Sequence, residues 1–239
     1  MKTVIFDVDD TLYDQIEPFK RAMIKVFPNE YEKLSSKKEA LYLRFRHYSD
    51  KVFYLTEDGS LSLEDMRVYR ITEALRDFSF SVSEHSAKKF QEAYHYYQGK
   101  IELRDDVFEL LEDLTSKQVP VGILTNGPTN HQKEKIVQLG LSSFLDEGKV
   151  FISEEMGVAK PDVLAFRNIE ETFETQPQNC IYIGDSYEND VVGAKSAGWY
   201  MIWLNKYGRK LNDTDVKPDV ELSDYSLLKE EILLKKEVD

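Results

Sequence analysis

The sequence predicts an α/β protein: a parallel sheet covered by helices on both faces, with an all-helical segment inserted after the first strand. Three observations carry that prediction. Beyond Arg104, short runs of branched apolar residues alternate with amphipathic helical stretches, the pattern of a parallel sheet. The chain opens on one such run, Val4-Ile5-Phe6, which ends on Asp7. Between Asp14 and Ile101 no comparable strand occurs, and the spacing there is helical and rich in aromatic residues.

Taken in order, residues 3–7 read as a short buried strand. Helices follow to about residue 101, with Ser62 ahead of Leu63-Glu64-Asp65 and Ser83 ahead of Glu84 as N-caps. Asp58-Gly59 marks a turn between helices. The aromatics of this stretch, Phe19, Phe45 and Phe90 among them, read mostly as its own interior. DDVFELLEDLTSK (105–117) is an amphipathic helix, VPVGILT (119–125) a strand, and Thr129–Leu139 a helix stopped by Gly140. KVFIS (149–153) is a strand, followed by a helix beginning near Pro161. CIYIGD (180–185) is a strand, Asn189–Ala197 a helix and WYMIWLN (199–205) a strand. DVEL (219–222) adds a short strand and Tyr225–Lys236 a closing helix with a solvated face. Residues 1–13 and 103–239 therefore form a Rossmann-like core domain, and residues 14–102 an inserted helical domain.

Composition narrows the partners. The 239 residues are 41% hydrophobic and 31% charged, ordinary for a globular protein. A net charge of −13 argues against a nucleic-acid polymer or an anionic membrane as partner. It leaves room for an anionic small molecule, because a cation can reverse the field inside a cleft. Cys180 is the only cysteine, so no intrachain disulfide or thiolate metal cluster is expected. With no signal-peptide core before Asp7 and no membrane-length apolar run, a cytoplasmic location is expected.

In an open α/β sheet, ligands bind outside the carboxyl ends of the strands. Here those ends carry Asp7 and Asp9; Thr125 and Asn126; and Asp185, with Asp190 just beyond. Lys160 precedes a helix between the last two strands. Each fragment alone is an ordinary turn or cap; their joint placement at one edge is not. Several carboxylates without histidine or cysteine make a hard oxygen site suited to Mg²⁺. Lys160 and the Thr125 hydroxyl could hold phosphate oxygens. A carboxylate beside the metal can attack phosphorus and form an aspartyl-phosphate. Asp7 would then be ionised to attack, while Asp9 gives and later takes a proton.

Four stretches, FDVDDTL (6–12), ILTNG (123–127), SEEMGVAKPD (153–162) and IGDSYENDVVGAKSAG (183–198), resemble, in order, the four motifs of the haloacid dehalogenase-superfamily phosphatases. The resemblance implies Asp7 as nucleophile and Asp9 as acid/base. It implies that Thr125 and Lys160 hold the phosphoryl group, with Asn126 supporting through its backbone. Mg²⁺ would take the Asp7 carboxylate, the Asp9 backbone carbonyl and Asp185, with Asp190 acting directly or through water. Residues 14–102 resemble the family's helical cap of the first type. The superfamily's dehalogenases and phosphonate-cleaving members lack the second aspartate, so Asp9 points to phosphoester chemistry. Among phosphatases, the TNG, SEEMGVAKP and GDSYENDVVGAKSAGW stretches look most like small 5′-nucleotidases. Leu103-Arg104-Asp105-Asp106 departs from the family in lacking the Pro-Gly often found at the end of the cap.

The expected activity is therefore Mg²⁺-dependent hydrolysis of a small phosphorylated metabolite, a nucleoside 5′-monophosphate being one candidate. Two other classes fit some of the same residues. A phosphomutase on this scaffold would return the phosphoryl group to bound product. A phosphorylatable receiver or a non-catalytic binding module would have no use for Asp9, and a receiver's reactive aspartate ends a later strand.

Overall fold

The computed structural model describes residues 2–57 and 59–237, the side chains of residue 57 and of residues 233–237 excepted. The chain divides into two compact units, residues 1–14 with 102–239, and residues 15–101.

The second unit is helical throughout its described residues: α1 (Ile16–Val26), α2 (Pro28–Lys33), α3 (Lys38–Glu57), α4 (Leu63–Asp77) and α5 (Glu84–Gln98). Both serine caps form: the Ser62 hydroxyl accepts from Asp65 N at 3.0 Å and Ser83 from Ser86 N at 3.2 Å. Of the Asp58-Gly59 turn, Asp58 lies outside the described residues, while Gly59 has the left-handed φ of +77° that favours glycine. Phe19, Phe45, Phe90 and Tyr94 form the interior, with neighbouring ring centroids 5.0–6.0 Å apart. Tyr54 and Tyr96 face solvent instead.

The first unit is the α/β layer structure. In chain order it holds β1 (Thr3–Phe6), α6 (Asp105–Ser116), β2 (Val121–Thr125), α7 (Thr129–Gln138), β3 (Val150–Ile152), α8 (Ser153–Met156), α9 (Val163–Thr172), β4 (Cys180–Gly184), α10 (Val192–Ser196), β5 (Tyr200–Leu204), β6 (Val220–Leu222) and α11 (Leu228–Glu237). The six strands are parallel in the order β3-β2-β1-β4-β5-β6. Helices cover both faces, so β1, β2 and β4 are buried at every residue and read as continuous apolar runs. The order reverses at β1, which lies between β2 and β4. Three adjacent strands therefore release their chains, at Asp7, Asn126 and Asp185, beside one crevice.

Several boundaries differ from the sequence reading for local reasons. Pro120 accepts from Val4 N at 2.9 Å but has no N–H of its own, so the β2 ladder starts at Val121. The helix expected from Pro161 starts at Val163 because the Asp162 side chain caps it, accepting from Leu164 N at 2.9 Å. Residues 187–191 form a π-helical turn ahead of α10, widening the chain where Asp190 must turn inward. The closing helix begins as a 3₁₀ turn at Tyr225–Leu227; the side chains of 233–237, part of its expected solvated face, lie outside the described residues.

Candidate active site

Asp7 follows β1 and is buried, 6% exposed. Its Oδ1 accepts from Lys160 Nζ at 2.8 Å. The same ammonium donates to Asp190 Oδ1 at 2.7 Å and to the Tyr182 hydroxyl at 2.7 Å. Tyr182, on β4, donates in turn to the Leu124 carbonyl at 3.0 Å. Burial pushes the Asp7 carboxyl up to about 6 against the pull of Lys160, and the Asp190 and Asp9 charges push the same way. Burial opposes the charge on Lys160, yet Asp190 and Asp7 hold its pKa above the ordinary lysine value, so it remains an ammonium. Burial, then Asp190 and Asp7, keep the Tyr182 phenol protonated far beyond its usual range.

One carboxylate oxygen from each of Asp7, Asp185 and Asp190 lies within 4.8 Å of the other two. Three hard oxygen donors beside a single ammonium leave net negative charge in a buried place, a donor set that fits Mg²⁺. The backbone keeps Asp190 there. Its Oδ2 accepts from Ser186 N at 2.9 Å. A Cβ on Gly184 would stand 2.3 Å from that oxygen, so only glycine fits at the end of β4.

Thr125 ends β2 and is buried. Asn126 locks the next loop in place: its side-chain Nδ2 donates to Lys160 O and its Oδ1 accepts from Lys160 N, each at 2.9 Å. Gly127 N donates to Ser153 Oγ at 2.9 Å. The Thr125-Asn126 loop and the Lys160 segment, 34 residues apart, are thus held as one piece.

Asp9 has a different environment from Asp7. Both its oxygens accept from Lys135 Nζ, each at 2.7 Å, Oδ2 also from Gln132 Nε2 at 3.2 Å, and Oδ1 from the Tyr13 hydroxyl. Its side chain is outside the three-carboxylate group, which leaves its backbone carbonyl as the group that the resemblance assigns to a metal.

The structure brings Asp7, Asp185, Asp190 and Lys160 together, and sets Thr125 and Asn126 on the adjoining loop. The sequence reading missed Tyr182, Lys135 and Gln132. Tyr182 sits in a strand that reads as packing. The usable signal for the other two was the spacing of residues 132, 135 and 139, one inward stripe along α7 and its C-cap on which Gln132, Lys135 and Leu139 are all buried.

Comparison with known proteins establishes the family and the fold. The family model for haloacid dehalogenase-like hydrolases matches residues 1–198. The chain belongs to that family. It is 29% identical over 219 residues to the N-acylneuraminate-9-phosphatase of Mus musculus, covering 87% of this chain and 84% of the relative. It is 26% identical over 247 residues to the phosphoserine phosphatase of Thermus thermophilus, covering 94% and 96%. The crystal structure of the hydrolase YfnB from Bacillus subtilis, bound to magnesium, superposes with a TM-score of 0.70 at 22% identity, covering 97% of this chain and 98% of that one. This chain is thus a hydrolase whose relatives include several phosphatases by name. No helix among its described residues is long and apolar enough to cross a membrane.

Proposed function

We propose that this hydrolase cleaves a small phosphate monoester through an aspartyl-phosphate on Asp7, with Mg²⁺ held by Asp7, Asp185, Asp190 and the Asp9 backbone carbonyl. The observation that carries the reading is the separation of two carboxylates only two residues apart. Asp7 sits with Lys160 and the other acids, while Asp9 is held by its own lysine. Bound there, Mg²⁺ would offset the charge of the phosphoryl oxygens and of the acids around them.

Lys160 and Thr125 hold the phosphoryl group. An Asp7 oxygen attacks phosphorus as the bond to the substrate oxygen breaks, and Asp9 gives that oxygen its proton. Water then attacks the aspartyl-phosphate, Asp9 takes the water's proton, phosphate leaves and Asp7 is restored. The cycle needs a second carboxylate that changes protonation state without binding the phosphoryl group. A haloacid dehalogenase releases halide and has no such need, and a binding module has no need of either proton transfer.

The helical unit, residues 15–101, serves as the cap that distinguishes leaving groups, since the core residues recognise only the phosphoryl group that all substrates share. The test is phosphate release with Mg²⁺ from nucleoside 5′-monophosphates, phosphoserine, N-acylneuraminate 9-phosphate and p-nitrophenyl phosphate. Turnover should vanish with chelator and with Asp7→Asn, and Ca²⁺ should substitute poorly because it favours looser, higher coordination. Full activity in excess chelator would sink the mechanism. Isomerised phosphoester without free phosphate would identify a phosphomutase instead.

A further inference from the structure

Lys135 lies on α7 and is 3% exposed. A lysine at that depth costs desolvation and needs an anion; the carboxylate it meets is that of Asp9, 126 residues away in sequence. Gln132, one helical turn earlier, is 2% exposed. Its Nε2 spends both hydrogens, on Asp9 Oδ2 at 3.2 Å and on the Asn126 carbonyl at 3.0 Å. Its own Oε1 is buried and has no hydrogen-bond partner among the described residues. A glutamine placed only to complete packing would be expected to satisfy its carbonyl. This amide gives that up to keep two particular acceptors, one on the acid/base candidate and one on the loop beside the phosphoryl-binding threonine.

Stability is a poor explanation for the pair, since a buried lysine–carboxylate contact adds little over apolar residues of the same shape. Geometry is a better one. Lys135 fixes the plane of the Asp9 carboxylate by meeting both oxygens, and Gln132 fixes that carboxylate relative to Asn126. Proton transfer to a leaving oxygen depends steeply on such placement.

We propose that Lys135 and Gln132 are positioning residues for proton transfer, acting through Asp9 and registering it to the Thr125-Asn126 loop. The inference rests on the reading of Asp9 as the acid/base. The polar contacts of the two side chains go to Asp9 and to the Asn126 carbonyl. Their loss should therefore hurt substrates whose leaving oxygen needs a proton and spare those whose leaving group departs as an anion.

The experiment measures kcat/KM for Lys135→Met and Gln132→Met with an alkyl phosphate and with p-nitrophenyl phosphate, in the parent and in an Asp9→Asn background. K135M should lose roughly 10–100-fold on the alkyl phosphate and less than about 3-fold on p-nitrophenyl phosphate, the range expected when support of a reacting group is removed. Q132M should show the same asymmetry at roughly 3–10-fold. In the Asp9→Asn background both losses should shrink to within about 2-fold, because residues acting through one group are not additive. Equal loss on both substrates, or undiminished loss without Asp9, would overturn the proposal. So would failure of both variants to fold while Asp9→Asn folds, since the pair would then be scaffold. If the parent releases no phosphate, the phosphatase reading fails; if Asp9→Asn keeps full activity on the alkyl phosphate, the acid/base role of Asp9 fails; either result overturns this proposal as well.

Discussion

Replacing Lys160 with methionine isolates the electrostatics of the site from its catalysis. The ammonium stands 2.8 Å from Asp7 and 2.7 Å from Asp190, and both carboxylates are buried. At an effective dielectric of about 20, each contact at that distance attracts by roughly 6 kcal/mol. The cost of taking the lysine out of water in the parent offsets much of this, and removal of one partner from a buried charge cluster nets a loss of about 3–5 kcal/mol. Two carboxylates remain without their cation, so one must bind a proton or a metal. The variant should therefore be destabilised by about 3–5 kcal/mol in chelator, a large share of the roughly 5–15 kcal/mol that holds a domain folded. Millimolar Mg²⁺ should stabilise it more than it stabilises the parent, because the variant's site is more negative. The assay is urea unfolding followed by tryptophan fluorescence. Both tryptophans, Trp199 and Trp203, lie in the α/β unit and are 1% exposed, so the signal reports that unit alone. A variant as stable as the parent in chelator, or equal stabilisation of both by Mg²⁺, would refute the charge balance argued here.

Two further perturbations test neighbouring parts of the reasoning. Gly184→Ala places a Cβ 2.3 Å from Asp190 Oδ2, so Asp190 must move. Overpacking of this kind costs about 1–3 kcal/mol, and the Mg²⁺ concentration for half-maximal activity should rise; an unchanged metal dependence would show that Asp190 has room to spare. Asp14 accepts from Lys206 at 2.6 Å and from Arg104 at 2.8 Å; burial works against its charge, but these two cations bring its pKa below the usual carboxylate value. A depressed pKa adds stability above the unfolded value of 3.8, lost as pH falls through the folded one. Asp14→Asn should therefore lower the melting temperature near neutral pH and matter progressively less below about pH 4. A gap constant down to strongly acid pH would remove the ion pairs from the explanation.

What the sequence disclosed depended on how local the signal was. Asp7, Asn126 and Asp185 could be found because each stands one residue past an apolar strand run, and parallel strands end on one edge whatever lies between them. Lys160 was visible because it breaks a loop just before a helix. Tyr182 was not: within CIYIG it is one more large residue, and its hydroxyl becomes a ligand of Lys160 only once β4 lies beside β1. Lys135 was harder still. A lysine within KEKIVQ reads as solvated, and only the approach of Asp9 gives its charge a reason to be buried. Positions that follow from chain direction were legible, whereas partners that follow from tertiary contact were not.

The separation of Asp7 from Asp9 is itself a product of the turn between them. Val8 is fully buried and its carbonyl accepts from Thr11 N at 3.3 Å and Leu12 N at 3.0 Å, so the chain pivots about an apolar anchor as it leaves β1. Asp10 takes a left-handed φ of +57° to complete the bend. Along a continuing strand, residues two apart would face the same way and share one environment. Across this bend Asp7 reaches Lys160 and Asp190, while Asp9 reaches Lys135 and Gln132 on the helix that follows β2. The proposed two-step phosphoryl transfer, in which one carboxylate stays ionised while the other cycles its proton, draws on that division.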